Sequence, residues 1–144
     1  MISVVIQLIN EEKELPATLQ RLITLEGDIS VIVGHGGSNA NTLQLLEQDS
    51  RIQLLHSDAG RARQMNIGAG RACGEWLLFL HADTLLPDQA LTDLQALPDS
   101  VQAGGFRHRF SGNSIGLGLV SWLHNFRCRC TRVFYGDQAM FIRK

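Results

Sequence analysis

The sequence lacks the features that mark several protein classes. Its three cysteines, Cys73, Cys128 and Cys130, have no framework spacing, which argues against a disulfide scaffold and fits a reducing compartment. Cys128 and Cys130 form C-x-C near His124, and because no fourth ligand is evident we favour ordinary cysteines over zinc ligands. The N-terminus shows no signal-peptide pattern, and no apolar run approaches the roughly 18 residues of a membrane span. We therefore expect a cytoplasmic protein.

Net charge is also small. The formal charge is −1 over 144 residues, so nothing attracts nucleic acid in general, and we expect no nucleic-acid partner. Hydrophobic residues make up 44% and charged residues 19%, which indicates a globular chain rather than a disordered one. This length suits a single domain, and no linker or repeat divides it.

What the chain does have is an alternation of apolar runs and amphipathic segments as far as Pro98. Strands are predicted in ISVVIQLI, DISVIVGHGGS, RIQLLHSD and EWLLFL, and helices in NEEKELPATLQRLITL, NANTLQLLEQ, GRARQMNIGAGRACG and PDQALTDLQAL. This order predicts an α/β fold with a mostly parallel sheet between two helical layers. Beyond Pro98 we predict an antiparallel strand in AGGFRHRF, a helix in NSIGLGLVSWLHNFRCRCTR and a last strand in YGDQAMFIRK.

Polar and glycine residues follow the predicted parallel strands. They are Asn10 and Glu11, residues 34–38, Ser57 and Asp58, and residues 81–84. Because open α/β sheets bind ligands beyond the carboxyl ends of their strands, we expect the site at this edge.

Two of these groups, and a third group in the segment GRARQMNIGAG, admit two interpretations each. GHGGSN is either a phosphate-binding loop or a tight strand-to-helix turn. Asp83 is either a helix cap near Pro87 or a carboxylate that shares Mg2+ or Mn2+ with a diphosphate. Arg63, Gln64 and Asn66 either form a solvated helix face or bind phosphate and sugar.

The motifs VVIQLINEE, VIVGHGGSNANT, GRARQMNIGAG, GEWLLFLHADT, GGF and YGDQAMFIRK, in this order, resemble the family 2 glycosyltransferases with a GT-A fold. The sequence is most similar to a bacterial subgroup with G-R-A-x-Q-M-N, L-F-L-H-A-D-T and Y-G-D-Q-A-x-F. The resemblance implies one GT-A-like domain over residues 1–144, shortened at its C-terminal end. It also implies a nucleotide-sugar donor, Mg2+ or Mn2+, and inverting transfer to the hydroxyl of an acceptor whose identity stays open.

The resemblance also implies site residues. The residues that it implies for donor or nucleotide binding are Asn10, Glu11, His35, Gly36, Arg63, Gln64, Asn66 and His81. It implies Asp83 as the metal ligand, and it implies that Gly105, Gly136 and Gln138 line the acceptor side.

Two departures from the family pattern bear on activity. His35 stands where the family usually has an acidic residue, and Ala40 replaces a common Asp. The family usually continues into a helix bearing Glu-Asp, the source of its general base, whereas Asp137 is the only late carboxylate here. The alternative to an active transferase is therefore a catalytically silent binding or assembly module.

Two expectations concern partners. The stripe Leu119, Trp122, Leu123 and Phe126, beside several arginines, is expected either to pack on the core or a partner, or to lie on a membrane surface at the inner face. A terminal strand left open at Lys144 suggests association into a homodimer.

Overall fold

The computed structural model describes residues 1–8, 13–36, 46, 49–58, 60–112, 114–134 and 138–144. Within these residues the chain forms six strands and four helices. In chain order they are β1 (Ile2–Leu8), α1 (Leu15–Thr24), β2 (Ile29–His35), β3 (Ile52–His56), α2 (Arg61–Arg71), β4 (Trp76–His81), α3 (Ala90–Gln95), β5 (Ala103–Gly105), α4 (Ile115–Thr131) and β6 (Met140–Arg143). The predicted helix in NANTLQLLEQ lies almost wholly outside the described residues.

One six-stranded sheet organises the described chain, in the order β3-β2-β1-β4-β6-β5. The first four strands in this order are mutually parallel, as the alternation of strands and helices predicts. All seven residues of β1 are buried, which is expected for a central parallel strand covered on both faces. The chain leaves β1 towards β3 and later returns to its other side, so the strand order reverses at β1.

Two hydrophobic clusters lie on opposite faces of the sheet. The larger cluster joins β1 and β4 to α1 and α3 through side chains such as Leu19, Leu22 and Leu91. The smaller cluster contains Val5 and Phe79 and receives α2 through Met65 and Ala69. These two faces give the predicted three-layer α/β/α arrangement.

The expectation that the C-terminal strand lies open at the edge of the sheet is wrong. β6 lies between β4 and β5 and pairs antiparallel with both. An open strand therefore gives no reason for a homodimer, which stays a prediction without this basis. β5 is also shorter than predicted and ends at Gly105, because residues 106–110 turn away to meet α4.

Helix α4 contacts the rest of the molecule through polar side chains. Asn125 accepts the backbone N–H of His108 at 2.9 Å and donates to its carbonyl at 2.8 Å. Ser121 and Cys128, one turn to either side, are the buried residues of this helix. The expectation that the apolar stripe packs on the core is therefore wrong, because Trp122 is 58% and Phe126 54% exposed. In the part of the chain that the structure describes, no helix is long and apolar enough to cross a membrane.

Candidate functional site

The carboxyl ends of the parallel strands align in register. Gln7 of β1 pairs with His81 of β4, and Leu8 pairs with His35 of β2. His35 in turn pairs with His56 of β3, and the backbone N–H of Ser57 extends this ladder to the carbonyl of His35 at 2.9 Å. The predicted gathering of polar residues at one edge of the sheet is therefore found, at the strand-order reversal where such sheets bind ligands.

The turn after β4 presents Asp83 to solvent. Ala82 is fully buried, and its carbonyl accepts the Thr18 hydroxyl of α1 at 2.6 Å. The N–H of Thr84 closes the turn on the carbonyl of His81 at 3.1 Å. A buried alanine thus fixes the backbone on one side of Asp83 and leaves its carboxylate exposed.

The interpretation of Asp83 as a helix cap is wrong. The N-cap of α3 is Gln89, which makes no side-chain capping hydrogen bond, and Asp83 lies six residues earlier. The hydrogen bond shown for the Asp83 carboxylate, a long one of 3.3 Å, comes from the Thr84 hydroxyl. The carboxylate is therefore accessible to a ligand.

A divalent cation shared with a substrate fits this turn better than one enclosed by protein ligands. Among the described residues, no three His, Cys, Asp or Glu side chains converge as a metal site. Mg2+ is commonly held by one or two carboxylates, substrate phosphates and water, a requirement that a single exposed carboxylate can meet. Asp83 would be its protein ligand, with the half-buried His81 beside it.

Helix α2 packs on the sheet at this edge through glycine. A Cβ on Gly68 would lie 2.4 Å from Val5 Cγ1, and one on Gly34 would lie 3.0 Å from Gln64 Cβ. The helix therefore depends on two missing side chains for its close approach to β1 and β2. Gln64 is 1% exposed and donates from Nε2 to the carbonyl of Leu8 at 3.3 Å.

The structure separates the three candidate residues of α2. Arg63 and Asn66 are exposed, whereas Gln64 faces the sheet. Arg63 pairs with Asp58 at 2.9 Å, but both side chains are largely solvated, so the pair contributes little to stability. Arg63 can exchange this partner for a phosphate at small cost.

His35 and His56 form a pair of imidazoles at the ends of β2 and β3. Their ring centroids lie 5.2 Å apart with an edge-on geometry. His35 is 8% exposed, and its Nδ1 lacks a hydrogen-bond partner among the described residues. Burial, and secondarily the charge of His56, lower the pKa of His35. A neutral imidazole therefore stands where the resemblance calls for a carboxylate, followed by the exposed Gly36.

Sequence reasoning missed two residues of this edge, Gln7 and His56. Gln7 is 2% exposed, and its Oε1, like that of Gln64, has no partner among the described residues. Buried amide oxygens are normally hydrogen-bonded, so both are suited to accept from a ligand or a bound water. The signal was present, because a glutamine interrupts the apolar run VVIQLI.

The predicted acceptor-side residues Gly105 and Gln138 lie together on the other side of β4. The N–H of Phe106 donates to the carbonyl of Gln138 at 2.7 Å. Both line a cavity of about 370 Å³ between β5 and α4. The buried Cys128 thiol donates to Gln138 Oε1 at 3.2 Å, which holds that side chain in the wall.

Four further candidates, Asn10, Glu11, Gly136 and Asp137, lie outside the described residues.

The fold and the edge define a class: a GT-A-type α/β domain with a polar site at the carboxyl ends of its parallel strands. The model of the family described as glycosyl transferase family 2 matches residues 3–135. The chain belongs to this family.

Known proteins agree with this assignment. The undecaprenyl-phosphate 4-deoxy-4-formamido-L-arabinose transferase of Proteus mirabilis (strain HI4320) is 30% identical over 106 residues, 66% of this chain and 32% of that protein. The chain thus spans about a third of this curated relative.

Solved structures share the fold. A mannosyltransferase from Pyrobaculum calidifontis, in complex with GDP-Man and Mn2+, superposes with a TM-score of 0.73 at 17% identity, covering 99% of this chain and 44% of that one. TarS from S. aureus superposes with a TM-score of 0.68 at 21% identity, covering 79% of this chain and 37% of that one. TarS in complex with UDP superposes with a TM-score of 0.63 at 23% identity over the same shares of the two chains.

Proposed function

We propose that the chain binds a nucleotide-diphosphate sugar at the carboxyl edge of the sheet and takes part in inverting transfer of the sugar to an acceptor hydroxyl. The observation that carries this proposal is the exposed Asp83 carboxylate on a turn anchored by Ala82. This turn follows His81, whose strand end is in register with the polar ends of β1, β2 and β3. We also propose that residues 1–144 form one domain.

The donor is proposed to lie across the ends of β1 and β2. Arg63 is proposed to bind its phosphates, because its hydrogen-bond partner is the exposed Asp58 carboxylate. His35, Gln7 and Gln64 are proposed to contact its nucleoside through buried polar atoms that have no partner among the described residues. Asn66, Gly36, Asn10 and Glu11 complete the proposed donor contacts.

Mg2+ or Mn2+ would be held by Asp83 with the donor diphosphate, near His81. The support is the exposed carboxylate here and the structure of a mannosyltransferase of the same fold in complex with GDP-Man and Mn2+. When bound, the cation offsets negative charge on the departing nucleoside diphosphate.

The acceptor is proposed to enter beside Gly105, Gly136 and Gln138. Its hydroxyl oxygen forms a bond to the anomeric carbon on the face opposite the diphosphate, and the bond from that carbon to the diphosphate oxygen breaks. The hydroxyl proton passes to a carboxylate, for which Asp137 is the candidate in this chain.

We also propose a cytoplasmic location with peripheral contact at the inner face of the membrane. The support is the P. mirabilis relative, whose name specifies undecaprenyl phosphate.

Calorimetry tests the donor site. Wild-type protein is titrated with UDP, GDP and CDP in the presence and absence of Mn2+, and Asp83→Asn is compared with the matched surface variant Asp93→Asn in α3. We expect Mn2+ to raise the affinity for one of the three nucleotides. Asp83→Asn should abolish this increase in affinity, whereas Asp93→Asn should leave it unchanged. If no nucleotide binds with or without Mn2+, the proposal fails.

A second assay distinguishes an active transferase from a protein that only binds the donor. Release of nucleoside diphosphate from the matching sugar donor is expected from an active transferase. Tight donor binding with no release at high protein concentration would favour the silent binding module.

A further inference from the structure

One segment of the chain is strongly basic although the chain as a whole is not. Residues 100–136 contain five arginines and no acidic residue, a charge of +5. Since the whole chain carries −1, the residues outside this segment carry −6. Arg107 and Arg129 are exposed, and neither forms an ion pair with the described residues. Residues 100–136 therefore form a cationic segment of an otherwise acidic chain, with at least Arg107 and Arg129 at the surface.

The same segment exposes an unusual amount of apolar surface. On a helix of 3.6 residues per turn, Leu119, Leu123 and Phe126 lie opposite the buried Ser121. They are 57%, 50% and 54% exposed, and Ile115 at the start of the helix is 93% exposed. We call these four residues and Trp122 the α4 face. Apolar patches with a polar rim mark interaction sites on soluble proteins.

A cavity connects this face to the proposed acceptor side. Its walls include Arg107, Arg129, Trp122 and Phe126 as well as Gly105 and Gln138. The Trp122 and Phe126 rings are stacked, with centroids 5.5 Å apart and an interplanar angle of 13°. The double hydrogen bond of Asn125 to His108 holds the segment that carries Arg107 against the helix. Two guanidinium groups and an aromatic wall thus share one opening.

We propose that the α4 face docks on an anionic lipid bilayer and that the cavity takes a lipid headgroup phosphate between Arg107 and Arg129. The charge selects the occupant: a segment with a charge of +5 beside an apolar stripe suits a surface that offers both phosphate and hydrocarbon. Combined with the proposed function, on which this last step rests, the arrangement names the acceptor class as a lipid that carries both a phosphate headgroup and the accepting hydroxyl.

Vesicle flotation tests the docking. The 144-residue chain is mixed with vesicles of phosphatidylcholine alone or with added phosphatidylglycerol, and only the anionic vesicles are expected to carry it upward. Arg107→Ala and Arg129→Ala should each lower partitioning about fivefold, and Trp122→Ala by about tenfold. Arg71→Ala and Leu85→Ser are the matched controls, because both residues are exposed and lie outside residues 100–136, and neither should change partitioning.

Tryptophan fluorescence gives a second readout. The chain has two tryptophans, and Trp76 is 2% exposed, so a blue shift on adding vesicles reports Trp122. Farnesyl phosphate is expected to produce the shift at least tenfold more tightly than farnesol, a preference that the double variant Arg107→Ala/Arg129→Ala should lose.

Three results would overturn the proposal. They are failure to float with anionic vesicles, flotation that the α4 variants leave unchanged, and light scattering that shows a dimer which the Trp122→Ala variant converts to a monomer. Equal affinity for farnesyl phosphate and farnesol would remove the headgroup site. Nucleotide binding measured separately on the same variants keeps these failures distinct from failure of the donor site, since Arg107 and Arg129 lie outside the donor edge.

Discussion

Gly68 and Gly70 stand two residues apart in α2 and allow a matched pair of substitutions. A Cβ on Gly68 would meet Val5 Cγ1 at 2.4 Å, inside contact distance, and Val5 is fully buried. A Cβ on Gly70 meets nothing within 4 Å. The same change, Gly→Ala, therefore differs at the two sites only in whether the new methyl group has room.

Two opposing contributions to the free energy of unfolding, helix propensity and overpacking, set the expected stability of the two variants. Alanine is favoured over glycine in a helix interior by about 1 kcal/mol, a gain that both substitutions share in part. Gly68→Ala adds overpacking, which typically costs about 1–3 kcal/mol. We expect Gly70→Ala to raise the free energy of unfolding by up to about 1 kcal/mol, and the gap between the two variants to be about 1–3 kcal/mol.

Urea denaturation followed by circular dichroism measures both variants against wild type. Because Gln64 on the same helix reaches the carbonyl of Leu8, we also expect Gly68→Ala to weaken nucleotide binding more than Gly70→Ala does. If Gly68→Ala proves as stable as Gly70→Ala, the described contact between α2 and β1 is wrong.

Two further predictions concern the edge of the sheet. Thr18→Val leaves the buried carbonyl of Ala82 without its hydroxyl donor and should lower the free energy of unfolding by about 1–3 kcal/mol, measured by thermal or urea denaturation. The same variant should also reduce the effect of Mn2+ on nucleotide affinity. Unchanged stability would contradict the hydrogen bond that anchors the turn. His35 has a lowered pKa, so the unfolded chain binds more protons than the folded one just below pH 6.5, and stability should fall as pH drops through that range. His35→Gln should flatten this dependence in denaturation curves at pH 7.5 and pH 5, and an unchanged slope would show that His35 is not responsible.

The sequence predicted the elements whose signal is local. β1 and β4 are continuous apolar runs, and Leu15, Leu19 and Leu22 give α1 a face that packs on the core. Alternation with helices then made the four parallel strands and their common carboxyl edge predictable. The position of Asp83 just beyond β4 followed in the same way, whereas the sequence left open whether its carboxylate caps a helix or meets a ligand.

Long-range pairing was not predictable in this way. The insertion of β6 between β4 and β5 depends on contacts between distant segments, and its four residues look like any terminal strand. Gln64 was grouped with Arg63 and Asn66 because all three are polar, yet the helical period places it on the buried side. The apolar side chains of α4 suggested a buried face, but they are exposed. Ser121, Asn125 and Cys128 contact the rest of the molecule instead.

The central claim is that the Asp83 carboxylate shares a cation with a diphosphate at the edge of the sheet. A crystal structure of the protein grown with Mn2+ and the nucleoside diphosphate that calorimetry selects tests it most directly. We expect an anomalous peak for manganese between Asp83 and the diphosphate, with the nucleoside against His35. Manganese and nucleotide bound elsewhere, or the edge empty with the Asp83 side chain turned back onto Thr84, would contradict the claim.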